Sequence, residues 1–175
     1  MAQNDTIACA GTVMIDGKPL SLLGTMLNVK QAAPAFSLLK PDLSEVSLSD
    51  FAGKPLLIST VASLDTGVCN KQTLRLNEEA LKIKPAAVLT VSMDLPPAQK
   101  RWVNEAGITN LVVASAHRSE DFGLAYGVLI EGIRLLTRAV FVVAADGTLR
   151  YREVVPELGR LPDFDAALEA VRRLL

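Results

Sequence analysis

Reactive side chains are scarce in this chain. Its 175 residues hold two cysteines, Cys9 and Cys69, and a single histidine, His117. Two cysteines are too few for a disulfide framework. One histidine and two distant cysteines do not make the clustered ligand spacing of a metal site. Charge of either sign is also missing in excess: 18 Lys and Arg face 19 Asp and Glu, for a net charge of −1. That balance excludes the basic surface of a nucleic-acid binder. No apolar run approaches the roughly 20 residues of a membrane span. Residues 1–14 carry Asp5 and no Lys or Arg. A signal peptide needs a basic start and a longer apolar run, and Ile7-Ala8-Cys9 lacks the leader of a lipoprotein site. Repeats, low-complexity tracts and linkers are absent. Half the residues are hydrophobic, enough to bury a core at this length. These features predict one soluble, cytoplasmic domain over residues 1–175, with neither nucleic acid nor membrane as partner.

What is present is a regular alternation of short apolar runs and helical patterns. Residues 6–24 predict a β-hairpin, with Thr12-Val13-Met14-Ile15 and Pro19-Leu20-Ser21-Leu22-Leu23 flanking the turn signal Asp16-Gly17. A short strand pair follows at 36–38 and 46–48. Pro55-Leu56-Leu57-Ile58-Ser59-Thr60-Val61 has the length and branching of a buried strand. A helix is predicted over 70–83 and another strand over 86–93. Pro96-Pro97 opens a second helix, which Gly107 ends. Residues 111–114 predict a third core strand and 119–126 a short helix closed by Gly127, after which 128–138 reads as a loop. Strands at 139–144 and 148–155 flank Asp146-Gly147, a second hairpin signal. Phe164, Ala167, Leu168, Val171 and Leu175 form one apolar stripe on a last helix over 164–175. The order implies an α/β fold, a mixed central sheet flanked by helices, with thioredoxin-like connectivity and an added N-terminal hairpin.

Between the central strand and its helix lies Ala62-Ser63-Leu64-Asp65-Thr66-Gly67-Val68-Cys69. This places Cys69 in the first helical turn, where unsatisfied N–H groups and the positive end of the dipole point at the thiol. Such a position favours the thiolate and makes a nucleophile of it. Cys69-Asn70-Lys71-Gln72 lacks the second thiol of a disulfide oxidoreductase.

Asp65-Thr66-Gly67-Val68-Cys69 at a helix start resembles the peroxidatic motif of the peroxiredoxins, in particular the bacterial thiol peroxidase subfamily. Ser49-Asp50-Phe51-Ala52-Gly53-Lys54, Ser92-Met93-Asp94-Leu95-Pro96, Ala98-Gln99-Lys100-Arg101-Trp102, Ala125-Tyr126-Gly127-Val128, Arg138-Ala139-Val140 and Pro162-Asp163-Phe164-Asp165 are similar to it in the same order. The resemblance implies a thiol-dependent peroxidase of hydrogen peroxide or alkyl hydroperoxides, on a peroxiredoxin-type thioredoxin fold. By matching position, Cys69 is the thiolate that attacks the O–O bond, Thr66 orients thiolate and peroxide, and Arg138 reaches the same pocket from a later strand. It further implies no metal or organic cofactor, an external thiol reductant (a thioredoxin-like protein or a low-molecular-weight thiol) and a homodimer. Two positions depart from the family. Ala62 stands where a proline usually covers the cysteine, and Val103 stands where the resolving cysteine is expected. The 128–138 loop is also shorter than usual.

Acidity alone does not make a fast peroxidase. Lowering a thiol pKa from about 8.5 to about 6 raises its thiolate fraction at neutral pH roughly thirtyfold. A Brønsted slope of about 0.5 returns most of that gain as lost nucleophilicity. The remainder must come from donors that align the peroxide and stabilise the departing oxygen, a task that suits a nearby hydroxyl and a guanidinium. Plainer readings exist: Cys69 as an inert buried thiol, Thr66 as a helix N-cap, Arg138 in a structural ion pair, Cys9 as a small hairpin residue or a resolving thiol. The alternative function is a redox-sensing or binding protein on the same fold. A Cys-based acyl-transfer enzyme would need His117 within hydrogen-bond reach of Cys69.

Overall fold

The computed structural model describes residues 8–175. The first two residues of the hairpin expected at 6–24, and the Asp5 region, lie outside the described residues. The strand Leu56–Thr60 (β5) is an interior strand of a seven-stranded mixed sheet, and every one of its residues is buried. It pairs in parallel with Ala87–Ser92 (β6), which pairs in parallel with Val112–Ser115 (β7). On the other side it pairs antiparallel with Ala139–Val143 (β9), and β9 with Leu149–Val154 (β10). Ser37–Leu39 (β3) and Glu45–Ser47 (β4) extend the β7 edge, giving the order β10-β9-β5-β6-β7-β3-β4. Continuous Val, Leu and Ile runs form the central strands because both faces are covered.

The period of two divides those runs between two cores. Leu56, Ile58, Ala139, Phe141 and Val143 enter a core with Phe36, Phe122 and Tyr126. Leu57, Val140 and Val142 face the other way, into a core with Leu76, Ile83, Phe164, Leu168 and Val171. The second face is covered by the helices Gly67–Glu79 (α1) and Phe164–Arg172 (α4). Pro96–Ala106 (α2) lies beside them, packing Trp102 with Val113 of β7. The first face carries the short helix Asp121–Ala125 (α3). After it Gly127 adopts φ 64°, and a Cβ there would meet the Thr25 carbonyl oxygen at 2.3 Å. Only glycine permits that approach.

The N-terminal hairpin is present as Cys9–Ile15 (β1) and Lys18–Leu23 (β2), turning at Asp16 and Gly17. The segment expected to be a loop at 128–138 instead contributes a third strand to it. Leu129–Ile130 (β8) pairs antiparallel with β2, so the hairpin is a three-stranded sheet. A two-residue strand is too short for periodicity to reveal. Helix boundaries also differ. α1 starts three residues before the expected 70 and tightens into a 3-10 turn at Ala80–Ile83, ahead of Pro85, which cannot continue a helix. The third and fourth helices are shorter than the predicted 119–126 and 164–175.

α4 opens at Asp163, whose carboxylate accepts from the Ala166 N–H at 2.9 Å. Asp163→Ala should lower unfolding free energy by about 1 kcal/mol, read from urea denaturation; an unchanged midpoint would mean the cap contributes nothing.

Candidate active site

The site forms where the sheet brings two chain ends together. Register pairs Thr60, the last residue of β5, with Ala139, the first of β9. The loop leaving β5 therefore lies beside Arg138. The Thr60 hydroxyl ties the two ends further, donating to the Thr137 carbonyl at 2.7 Å. Residues 61–66 then cross to α1, with Thr66 at its N-cap and Cys69 in its first turn, as expected. Asp94, just past β6, holds this loop. Its carboxylate accepts from the Ser63 hydroxyl at 2.7 Å, the Leu64 N–H at 2.8 Å and the Ser92 hydroxyl at 2.7 Å.

Cys69 is 1% exposed and packs among Val61, Leu64, Trp102, Ile108 and Val113. Arg138 is 3% exposed, and its Nη2 lies 3.5 Å from the Cys69 Sγ. Three further bonds fix that guanidinium. Nη1 donates to the Gln72 Oε1, while Nε and Nη2 both donate to the Leu158 carbonyl, at 3.2 and 2.9 Å. Gln72 is itself fully buried and donates to the Ser59 hydroxyl at 2.6 Å.

What the guanidinium lacks matters more. Among the described residues no Asp or Glu pairs with Arg138; the ion pairs there involve other, solvent-accessible side chains. A buried cation without an anion is costly. Its partners are two amide-type carbonyls and a thiol, and of these only the thiol can become an anion. The plain reading of Arg138 as one half of a structural salt bridge therefore fails.

Thr66 is placed less simply. It is exposed, and its hydroxyl donates to the Ser63 carbonyl at 3.0 Å, neither capping the helix nor bonding to Cys69. With its proton so committed, the oxygen is left as an acceptor at the helix mouth. His117 bonds through Nδ1 to the Ser115 hydroxyl at 3.0 Å; no hydrogen bond links it to Cys69 among the described residues, and the acyl-transfer reading loses its base. Three cavities of about 560, 320 and 300 Å³ have no wall formed by Cys69; the third is lined by Val103, Ile108 and Val113 of the cluster that packs it.

The Redoxin family profile matches residues 28–168. A thiol peroxidase of Staphylococcus aureus (strain MRSA252) is 49% identical over 162 residues, covering 93% of this chain and 98% of that protein. A thiol peroxidase of Halalkalibacterium halodurans is 48% identical over 164 residues, covering 94% and 99%. A solved peroxiredoxin-like protein from Aquifex aeolicus superposes with a TM-score of 0.89 at 38% identity, covering 97% of this chain and 99% of that one. The chain belongs to the Redoxin family, among its thiol peroxidases. The expected fold, family and enzyme class all hold.

Within this family of thiol peroxidases, the two departures sit close to the cysteine. Ala62 and Val103 are both half-buried and pack against the apolar cluster that contains Cys69. The position expected for a resolving thiol is thus a hydrocarbon contact beside the site. Cys9 is exposed on β1, its Sγ 3.3 Å from the Gly11 carbonyl, and both cysteines are free. Among the described residues no cluster of three or more His, Cys, Asp and Glu could hold a metal, and no helix is long and apolar enough to cross a membrane.

Sequence reasoning missed Gln72, Asp94 and Leu158. Gln72 carried a usable signal: it lies one turn after Cys69, on the inward face, where a polar residue requires a partner. Asp94 was legible only as part of a family-like stretch. Leu158 acts through its backbone, so no side-chain pattern marks it.

Gln72→Met keeps the volume but strands the Arg138 Nη1 and the Ser59 hydroxyl. It should lower stability by about 2 kcal/mol, measured by chemical denaturation. A loss below about 0.5 kcal/mol would show that the bonds are replaced by water.

Proposed function

We propose that the protein reduces peroxides at Cys69 by a one-cysteine cycle, with Arg138 and Thr66 as the groups that align the O–O bond. The observation that carries this reading is the buried Arg138 guanidinium, placed against the Cys69 thiol with no carboxylate among the described residues to neutralise it. The thiolate attacks the nearer peroxide oxygen. A sulfur–oxygen bond forms as the O–O bond breaks, and the leaving alkoxide or hydroxide takes the electron pair and then a proton. Arg138 steadies the charge as it moves from sulfur to oxygen. Thr66, an acceptor once its proton is given to Ser63, takes a hydrogen bond from the peroxide O–H. The product is a sulfenic acid on Cys69.

Val103 cannot resolve it. An external thiol therefore attacks the sulfenic sulfur, releasing water and leaving a mixed disulfide. A second thiol then displaces Cys69 and carries the oxidation away as an external disulfide. The reductant is a thioredoxin-like protein or a low-molecular-weight thiol. Burial of Cys69 means that residues 61–66 and the first turn of α1 must loosen for peroxide and thiol to enter. The family resemblance supports a homodimer and a cytoplasmic location. Residues 1–175 are read as one domain, a reading supported by the family match over residues 28–168 and by the backbone bonds between Met14 of the hairpin and the 156–158 segment.

Arg138→Met keeps the stem and deletes the donors. It should slow peroxide oxidation of Cys69 by about 10²–10³, roughly 3–4 kcal/mol, in stopped-flow measurements with the protein still folded. Thr66→Val should act in the same direction by a smaller factor. A folded Arg138→Met protein oxidised at the parent rate would remove Arg138 from the mechanism.

A further inference from the structure

Arg138 is aimed by a carbonyl that belongs to no regular element. Leu158 lies between β10 and α4, and its oxygen receives both Nε and Nη2 of the guanidinium. Two backbone bonds hold that segment from outside. The Met14 N–H donates to the Pro156 carbonyl at 2.7 Å, and the Leu158 N–H donates to the Met14 carbonyl at 3.0 Å. Met14 is in β1, and the two bonds form a parallel bridge centred on Glu157. The Leu158 side chain packs against the cluster of Ala10, Val13, Leu22 and Ile130, as do Ile15 and Leu20. Backbone and side chain of Leu158 are thus both held by the N-terminal three-stranded sheet, while its carbonyl faces the active-site cation.

We infer that Leu158 is a positioning residue, through which the N-terminal hairpin sets the Arg138 guanidinium against Cys69. A guanidinium is a rigid fork, and two of its five donors are spent on this one oxygen. Moving that oxygen swings the donor left for Sγ and peroxide. A misplacement of about 1 Å at a reacting centre can cost about 10²-fold in rate. The hairpin therefore tunes the peroxidatic step without contributing a side chain to it. This rests on the reading of Cys69 and Arg138 given above.

The test is a double-mutant cycle on the rate of Cys69 oxidation by hydrogen peroxide, with thermal unfolding followed in parallel. Leu158 is half-buried, so Leu158→Ala removes its anchor with limited effect on the core. Met14→Pro removes one of the two backbone tethers, since that N–H is directed at Pro156 and not at β2. Each should slow oxidation about tenfold, while Leu158→Met should stay within about twofold of the parent. In an Arg138→Met background, Leu158→Ala should cause no further loss, because its only route to the sulfur is gone. Parent rates in folded Leu158→Ala and Met14→Pro, with Arg138→Met slowed, would overturn the relay and leave the catalytic reading standing. An equal Leu158→Ala loss in both backgrounds would make the effect a general loosening and would also overturn it. A parent rate in Arg138→Met would sink the catalytic reading and the relay with it. Should Leu158→Ala not fold, Met14→Pro decides between the same outcomes.

Discussion

A buried guanidinium that pairs with no carboxylate among the described residues is the constraint on which this structure turns. Removing one partner from a buried charge pair typically costs about 3–5 kcal/mol. A native protein accepts an unpaired charge only where every donor is met and an anion can form on demand. Here the Arg138 donors end on Gln72, Leu158 and Cys69. Two of these are fixed dipoles, and the third is a thiol.

The topology explains why these groups meet. β5 and β9 run antiparallel, so the end of one lies beside the start of the other at Thr60 and Ala139. The β5–β6 parallel pairing requires a crossover, and α1 supplies it with its N-terminus at that same edge. A nucleophile at the helix start and a cation at the strand start are consequences of one register. The remaining parts keep that register exact enough for chemistry. Asp94 fixes the loop before the cysteine, Gln72 fixes one side of the cation, and the 156–158 segment fixes the other.

Much of this was legible in the sequence because the signals were long or chemically distinct. The fully apolar β5 run, the Asp16-Gly17 and Asp146-Gly147 turns and the stripe on α4 each repeat a pattern over several residues. Cys69 stood out through its place between strand and helix, and Arg138 and Thr66 through resemblance to the family. What escaped shares a different character. β8 has two residues, and its pairing depends on β2 more than one hundred positions earlier in the chain. Leu158 works through a carbonyl, which every residue has. Thr66 gives its hydroxyl proton to the Ser63 carbonyl, a rotamer choice that no pattern encodes. Val103 was read as a missing thiol, and the structure adds that it packs against the apolar cluster to which Cys69 belongs.

Intact-mass analysis after one equivalent of hydrogen peroxide, with dimedone present, addresses the central claim most directly. That claim is that Cys69 alone reacts and is left as a sulfenic acid. The account predicts one dimedone adduct per chain, mapped to Cys69 and absent from Cys69→Ser, with Cys9 unmodified; without dimedone, excess peroxide should add two oxygens to Cys69. Oxidation mapped to Cys9, a loss of two hydrogens per chain, or a non-reducing dimer abolished by Cys9→Ser would contradict it.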